Sequence, residues 1–548
     1  MNWIQSADPL HHPFLSALVA ALPVLLIFWA LVVKKLKGHQ ASLLAALFAF
    51  VIAIAIYRMP VHLAAMSFIH GALYGLFPIS WIVLSILFLF NLTVASGQFE
   101  IIKHSMASIT GDRRLQVLLV AFSFGAFLEG TAGFGAPVAI SAAMLTGLGF
   151  DPLYAAGLCL IANTTPVAFG SIGIPITVAS QVSGIPEFVL SQMIGRTLPI
   201  LSFMLPFYLI TLMCGFKKAF GIWPAMFVSG FSFALLQWFC SNYIGPFLPD
   251  IIAGGGSILC LVIFLRSWQP KQIWHLQDDQ KQAIAPEYSR LQVFRAWSPF
   301  LILTILIVCW GIKPVSAELN RLGTWQINMP WIHQAITDTR GNAIPHIFRL
   351  NTLSAAGTAI FISALISILL TGTTISNASR IFLSTLRQLK KPFLTVSAIL
   401  GFAYLVNDSG MSVSMANALA ATGILYPFFA PVLGWLGVFI TGSDTSSNAL
   451  FSTLQHATAT AVGVDPVVTV AANSTGGVVG KMISPQSIAV GAAAAGLVGK
   501  EANLFRFTVK HSFILLAFIC VLTLAQAYWI KWIVPVYHPA HPTVTRIK

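Results

Sequence analysis

Charged residues are scarce in this chain of 548 residues: Lys, Arg, Asp and Glu together make up 8% of it, against about a quarter of a soluble globular domain. That scarcity excludes a soluble enzyme. Hydrophobic residues reach 57%, and they fall in blocks of about 20, the length that crosses a hydrocarbon core as a helix. The short polar and apolar alternation of transmembrane β-strands is missing. The sequence therefore predicts an all-α polytopic membrane protein.

Paired cysteines are also missing. The six cysteines stand singly inside apolar runs, with no Cys-x-x-Cys and no His at metal-site spacing. This pattern predicts no disulfide framework, no metal and no cofactor. The net charge of +14 would suggest nucleic acid in a soluble protein, but here the basic residues lie in short joins between apolar runs. In that position they set membrane orientation, so the predicted partner is the lipid bilayer and not nucleic acid.

The basic joins mark the predicted cytoplasmic side, and counting the apolar runs between them gives about twelve spans with both termini outside. The joins are 34–37, 103–114, 217–218, 266–295, 380–391 and 500–510. The first run, 14–33, lacks the flanks of a cleaved signal peptide and is interpreted as a retained helix. Two long polar stretches, the loop 267–296 and the external segment 313–350, are each either a simple loop or a partner surface. The sequence predicts no oligomeric state.

Two regions, about 115–182 and 393–495, do not form simple spans, because Gly, Pro, Ser, Thr, Asn and single charges interrupt them. A broken helix in a membrane survives only where it is buried in protein or lines a cavity. Paired interruptions in two halves of a chain are typical of a transporter binding site.

An internal repeat supports that interpretation. The segment ANTTPVAFGSIGIP at 162–175 can be laid without a gap over ANSTGGVVGKMISP at 472–485, and each follows a cluster of small residues at a similar distance. We predict two related, inverted repeats with re-entrant or broken helices. Their half-sites are 128–137 with 162–175, and 441–451 with 472–487. The alternative is that small residues simply allow helices to pack closely.

The repeats divide the chain into five predicted regions. They are N-terminal helices 1–75, a first repeat 76–215, central helices 216–350, a second repeat 351–512, and a last helix with its tail 513–548.

Three long motifs carry a family resemblance: FLEGTAGFGAPVAI at 127–140, TGSDTSSNALF at 441–451 and GKMISPQS at 480–487. With them the chain resembles the L-lactate permease family nearly end to end. The resemblance implies that the chain is no enzyme but a symporter of lactate, and usually glycolate, with protons in the bacterial inner membrane. A weaker resemblance to the wider ion-transporter superfamily, which includes dicarboxylate/sodium symporters, implies hairpin tips and unwound helices around the site.

A small 2-hydroxy acid offers one carboxylate and one hydroxyl, so its site needs oriented donors and an acceptor. Half-helix N-termini supply N–H groups and positive dipole ends, while hydroxyl and amide side chains add further partners. The predicted substrate-binding residues are Gly130, Thr131, Gly133, Asn163, Thr164, Thr165, Ser443, Thr445, Ser446, Asn473, Ser474, Thr475 and Lys481.

Four charged residues lie within otherwise apolar segments, where a charge costs at least ~2.5–3.5 kcal/mol. Burial favours the neutral form of Glu129, which has no basic neighbour in its own segment and suits a proton carrier. Asp444 and Asp408 are the other predicted proton-coupling residues, with a cap or turn role as their alternative. Lys481 either holds the substrate carboxylate or pairs with Asp444 or Asp408, and pairing is favoured.

Three alternatives compete with this prediction. Sodium coupling stays open, because Asn, Thr and free carbonyl groups also bind hard cations. An intramembrane enzyme would use Asp408 and Asp444 as a dyad, but Gly-x-Gly-Asp, His-Glu-x-x-His and Gly-x-Ser-x-Gly motifs are absent. A channel is disfavoured by the two-half repeat. His456 and Arg196 are interpreted as structural residues, the latter reaching the membrane interface.

Overall fold

The computed structural model describes residues 3–107, 109–133, 135–274, 288–339 and 341–536. Part of the predicted loop 267–296 and Phe134 of the first motif lie outside these residues. Within the described ranges, eleven helices are long and apolar enough to span a membrane: Pro13–Leu31, Gly38–Ala55, Val61–Ala95, Arg113–Thr131, Glu187–Cys214, Trp223–Ile244, Pro249–Ser267, Arg290–Gly311, Ile375–Asp408, Met411–Thr441 and Glu501–Tyr528. The prediction of an all-α polytopic membrane protein is confirmed.

Shorter elements complete the fold. The shorter apolar helices are Ala136–Gly147, Pro152–Ala162 and Ala356–Thr371. Further helices are Gln98–Ala107, Ile174–Ser183, Phe216–Phe220, Lys313–Gly323, Asp444–Val462, Pro466–Lys481 and Pro485–Ala494. The strands are Trp3–Ile4, Thr324–Asn328, Ile336–Thr337 and Ile347–Asn351.

Three of the basic joins meet at one face of the bundle. Arg114 donates from Nη1 to the Lys218 carbonyl at 2.7 Å and from Nη2 to the Gln272 carbonyl at 2.8 Å. Asp112 accepts from the backbone N–H of Trp274 at 3.0 Å. The joins that were assigned to one side by their charge are therefore held together on one side, which we call the basic face.

The polar segment 313–350 is folded at the opposite face. Its strands Thr324–Asn328 and Ile347–Asn351 pair antiparallel, and Ile336–Thr337 pairs in parallel with Trp3–Ile4 at the N-terminus. Of the two interpretations left open for this segment, a simple loop is wrong, because it forms its own helix and strands and packs on the N-terminal residues.

The first half-site is the tip of a re-entrant hairpin. Arg113–Thr131 runs away from the basic face, and the next helix, Ala136–Gly147, returns towards it. The return is shown by Phe150, whose ring lies 6.0 Å from the Arg113 guanidinium carbon. The reversal needs Gly133 and Gly135, whose φ angles of 57° and 89° lie in the left-handed region that favours glycine.

The second half-site is a hairpin of opposite direction. Tyr426–Thr441 and Asp444–Val462 meet at Gly442, whose φ is 73°. Trp435 Nε1 donates to Ser512 Oγ at 2.9 Å, and the rings of Phe439 and Phe505 lie 6.5 Å apart. Tyr426–Thr441 thus runs antiparallel to Glu501–Tyr528 and towards the basic face. The two hairpins enter the bundle from opposite faces, as inverted repeats do.

Each hairpin is followed by the same series of elements. An Asp-Pro pair begins the next helix: Asp151 caps Pro152–Ala162, and Asp465 caps Pro466–Lys481. A break follows in each, then a short helix with proline in its first turn, then a helix of 28 residues. The predicted pairing of related segments is thereby visible in the element order.

The two breaks differ, contrary to the gapless overlay. In the first repeat the helix ends at Asn163 and irregular backbone continues to Gly173, whereas in the second the helix continues through Asn473 to Lys481. Pro166 accounts for the difference, since proline lacks an N–H and its ring blocks the preceding turn of helix. The second repeat has no proline between Pro466 and Pro485.

Candidate functional site

A buried ion pair joins the two repeats. Lys481 Nζ lies 2.9 Å from Glu129 Oε1, and Asn163 Nδ2 donates to Glu129 Oε2 at 3.1 Å. The Glu129 side chain is 3% exposed and that of Lys481 is 13% exposed. Glu129 belongs to the first hairpin, Asn163 caps the first broken helix, and Lys481 ends the corresponding helix of the second repeat. The pair therefore sits where both breaks meet.

The structure corrects the predicted partner of Lys481. Pairing was expected with Asp444 or Asp408, but the ammonium contacts Glu129. The sequence of each segment alone gave no basic neighbour for Glu129, because the partner lies 352 residues away. A cation in the last turn of Pro466–Lys481 is also favoured by the negative end of the helix dipole.

Asp444 lies one helical turn from the ion pair. A Cβ at Gly477 would overlap Asp444 Oδ1, and Gly477 precedes Lys481 by four residues, on the same face of the helix. Asp444 is 3% exposed. Its Oδ2 lies 3.3 Å from Asn448 Nδ2, whereas its Oδ1 has no hydrogen-bond partner among the described residues. Glycine at 477 thus lets a carboxylate reach the helix that carries Lys481.

An amide cluster connects the second half-site to the first repeat. Asn448 Nδ2 lies 2.6 Å from Ser474 Oγ and 3.0 Å from the Pro175 carbonyl, at the start of the helix after the first break. Asn473 Nδ2 donates to Asn448 Oδ1 at 2.9 Å. Asn448 was missed by the sequence analysis as a functional residue, although it lies within the predicted half-site 441–451.

The polar side chains of the predicted half-sites divide into two groups. Thr131 and Thr475 donate to carbonyls of their own helices, Thr164 donates to the carbonyl of Ile161 in the preceding helix, and Ser443 caps its helix by accepting from the Ser446 N–H. In contrast, a second group of buried atoms has no partner among the described residues: Asn163 Oδ1, Thr165 Oγ1 and Ser171 Oγ. Buried polar atoms are normally hydrogen-bonded, so this second group is available to a ligand or water.

The remaining small residues shape the site. A Cβ at Gly133 would fall 2.9 Å from Ser171 Cβ, which keeps the first hairpin tip against the first break. Gly130 faces Asp250 and Ile251 at the start of Pro249–Ser267. Thr445 and Ser446 are half-buried in the first turn of Asp444–Val462.

Asp250 was missed by the sequence analysis. It is 2% exposed, and both of its carboxylate oxygens lack a hydrogen-bond partner among the described residues. The signal in the sequence was an acidic residue directly before an apolar run, a pattern that resembles an ordinary helix start. Its proximity to Glu129 depends on the hairpin, which the local pattern does not contain.

Asp408 is placed apart from the ion pair. Its Oδ2 lies 3.0 Å from His346 Nε2, with both side chains 3% exposed, and its backbone carbonyl accepts from Gln5 Nε2 at 2.9 Å. Asp408 therefore contacts the folded polar segment and the N-terminus. As a predicted counter-ion of Lys481 it is wrong, because a helix of 34 residues carries it to the opposite face.

A cavity of about 1450 Å³ lies beneath the polar segment. Its lining includes Asp408, His346, Thr177, Glu187 and His456, so it extends from the polar segment to helices of both repeats. Glu129, Lys481 and Asn163 do not line it. Arg196, interpreted as a residue reaching the interface, instead donates to Asn242 Oδ1 and the Ile533 carbonyl, both at 2.7 Å.

Comparison with known proteins identifies the family of this chain. The family model described as L-lactate permease matches residues 16–530. This chain belongs to the L-lactate permease family. It is 50% identical to the L-lactate permease of Bacillus subtilis (strain 168), covering 98% of this chain and all of that protein. It is also 50% identical to the glycolate permease GlcA of Escherichia coli (strain K12), covering 96% of this chain and 98% of that protein.

The solved structures that this chain matches are only weakly similar to it. The Neisseria gonorrhoeae MtrF structure gives a TM-score of 0.44 at 14% identity, covering 85% of this chain and 83% of that chain. The Alcanivorax borkumensis YdaH transporter gives 0.38 at 15% identity, covering 84% and 87%. The relatives of this family are named permeases, which points away from an enzyme.

Proposed function

We propose that this protein is a secondary active transporter that takes up L-lactate, and glycolate as a further substrate, together with protons. It does so across the bacterial plasma membrane, with both termini outside. The names of the relatives at 50% identity support the substrate class. The observation that carries the proposal is the Glu129–Lys481 ion pair, because it couples the first hairpin to the second broken helix.

The substrate carboxylate takes the place of the Glu129 carboxylate at Lys481. Both are carboxylates, so the ammonium and the Asn163 amide that now contact Glu129 recognise the same group on lactate. The unpartnered oxygens of Asn163 and Thr165 then face the 2-hydroxyl. The glycines at 130 and 133, with Thr131 and Thr164, shape the first hairpin tip and break around the substrate.

The second half-site completes the proposed binding region. Ser443, Thr445 and Ser446 stand at the N-terminus of Asp444–Val462, where the helix dipole favours an anion. Asn473, Ser474 and Thr475 lie on Pro466–Lys481, and the first two are hydrogen-bonded to Asn448. These residues position the C-terminal end of the helix, where Lys481 lies.

Displacement of Glu129 provides the coupling. Once lactate occupies Lys481, the Glu129 carboxylate is buried without its counter-ion, a state that is costly unless it takes a proton. Lactate and a proton therefore bind together. Asp444, with one unpartnered oxygen, is the second proposed proton-binding residue of the cycle, whereas the contacts of Asp408 favour a structural role at the outer face.

The test is uptake of labelled L-lactate by purified protein in sealed vesicles. With an imposed proton gradient, inside alkaline, we expect accumulation that stops when the gradient is dissipated. Accumulation that requires a sodium gradient instead would overturn proton coupling. Absence of any lactate or glycolate uptake would overturn the substrate class. Uptake only down the lactate gradient would make the protein a facilitator.

A further inference from the structure

The start of the helix Pro249–Ser267 is pressed against the first hairpin. A Cβ at Gly254 would fall 2.6 Å from the backbone N of Phe127, and one at Gly130 would fall 3.0 Å from Asp250 Cβ. Such close backbone approach requires glycine. The Asp250 side chain is thereby held beside the residue that follows Glu129.

No hydrogen bond among the described residues compensates for the burial of Asp250. It stands in the first turn of its helix, but the residue before the helix, Leu248, makes no side-chain cap, and neither carboxylate oxygen of Asp250 accepts a hydrogen bond from the described residues. A capping acid would bond to an N–H of the first turn. At 2% exposure, an ionised carboxylate without such bonds is strongly disfavoured.

The charges around Asp250 do not balance. The helices packed against Pro249–Ser267 are Trp223–Phe239, Cys240–Ile244, Gly125–Thr131 and the preceding turn 117–124. Their ionisable residues are Glu129, Cys240 and Tyr243, and Glu129 and Lys481 are the charged groups that act on Asp250. Lys481 is already paired with Glu129. One ammonium therefore serves two buried carboxyl groups.

The loop before Asp250 borders the cavity beneath the polar segment. Ile244 and Phe247 line the cavity beneath the polar segment, and Phe247 precedes Asp250 by three residues. A Cβ at Gly173 would fall 2.8 Å from the Pro246 carbonyl oxygen, so the loop before Pro249 also packs on the first break.

We propose that Asp250 is a proton-binding residue of the transport site, and that Asp250 and Glu129 hold the symported proton between them beside Lys481. This inference rests on the proton coupling proposed above. A proton from external water binds to a carboxylate oxygen of the two acids, lactate takes the place of Glu129 at Lys481, and both are released to water on the other side. The net charge of the site is then the same when it is empty and when it is loaded, because the charges of one proton and one lactate anion cancel.

The experiment compares Asp250→Asn with the wild type and with Asp465→Asn. Asp465 is a helix cap away from the ion pair, and asparagine also caps helices, so the control removes a carboxylate without touching the site. We expect Asp250→Asn to lose gradient-driven lactate accumulation at least tenfold and to lose lactate counterflow far less. Asp465→Asn keeps both.

A second measurement distinguishes the loss of a proton-binding group from a structural change in the site. Proton uptake on lactate binding, measured with a pH indicator in weakly buffered detergent solution, is expected to fall by at least half in Asp250→Asn. If that variant does not fold, Asp250→Glu serves instead, with an expected shift in the pH midpoint of counterflow that Asp465→Asn does not show. Wild-type proton uptake in Asp250→Asn, or an unshifted midpoint in Asp250→Glu, would overturn the role of Asp250.

The experiments distinguish a failure of the proposed function from a failure of the role assigned to Asp250. If the wild type itself accumulates no lactate under a proton gradient, proton coupling is wrong and this inference falls with it. If the wild type accumulates lactate and Asp250→Asn does so equally, the proposed function stands and only the assignment of Asp250 is wrong.

Discussion

At the scale of single residues, the ion pair between Glu129 and Lys481 is expected to act as a unit. Removing one member of a buried pair leaves an uncompensated charge and costs roughly 3–5 kcal/mol, while removing both is often close to neutral. We therefore expect Lys481→Met to lower the thermal stability of the purified protein and Glu129→Gln/Lys481→Met to recover most of it. Both variants are expected to lose lactate binding. Equal stability loss in the single and double variants would contradict the pairing.

A substitution of Glu129 alone tests whether this residue couples lactate transport to proton transport. Glu129→Gln keeps the side-chain shape and the bond to Asn163 but cannot carry a proton. We expect gradient-driven uptake to fall more than counterflow exchange, since exchange needs no net proton movement. Equal loss of both activities would instead indicate a binding or structural role. The measurement uses the same vesicles with the gradient imposed or with lactate on both sides.

Gly477 is the residue whose size limits the approach of Asp444. Gly477→Ala is expected to reduce transport at least tenfold, because its Cβ would overlap the Asp444 carboxylate. Gly147→Ala is the control, since that glycine has open space around it and an ordinary φ. Transport by Gly477→Ala at the rate of Gly147→Ala would show that Asp444 need not lie against this helix.

At the scale of elements, the hairpin tips combine backbone strain with close contact, and two glycines of the second hairpin separate these effects. Gly442 and Gly463 both have positive φ, but only at Gly442 would a Cβ meet another residue, Gln486. Left-handed backbone costs alanine about 1–2 kcal/mol. We expect both Gly442→Ala and Gly463→Ala to be less stable, and only Gly442→Ala to lose transport as well. Equal transport by the two would contradict a functional role for the tip.

The helices and hairpins also show which structural features can be predicted from the sequence alone. Composition and the basic joins predicted the helical membrane fold, and the small-residue clusters predicted where the helices break, because Gly, Pro and polar residues inside apolar runs have a direct local meaning. The positions of Glu129 and Lys481 were found for the same reason. Which charges meet was not predictable, since the partners Glu129, Lys481 and Asp250 lie far apart along the chain and are joined only by the inverted packing of the hairpins.

At the scale of the whole molecule, a buried pair of His346 with Asp408 joins the polar segment to the helix bundle at the face opposite the basic face. Burial disfavours the charged form of the His346 ring and lowers its pKa. The negative charge of Asp408, the hydrogen bond to Asp408 and nearby backbone carbonyl acceptors outweigh this effect, so the pKa of His346 is raised above its usual 6.5. The ring of His70 lies 5.6 Å from that of His346 and is the neighbouring titratable group. The segment is therefore docked most firmly when His346 is protonated.

The sign of the pH effect follows from the raised pKa. A group whose pKa is raised in the folded state stabilises the folded state fully at a pH below its pKa in the unfolded chain, about 6.5 for His. This stabilisation is lost as the pH rises through the pKa of the folded state. We expect the thermal unfolding temperature of the wild type to fall as pH increases above about 6.5, and His346→Gln to show a flatter profile with a lower unfolding temperature at acid pH. Identical slopes in the two proteins would mean that this pair does not hold the polar segment to the bundle. The segment would then be docked by other contacts, such as the strand pairing of Trp3–Ile4 with Ile336–Thr337 and the hydrogen bond from the Tyr74 hydroxyl to the Ile347 carbonyl.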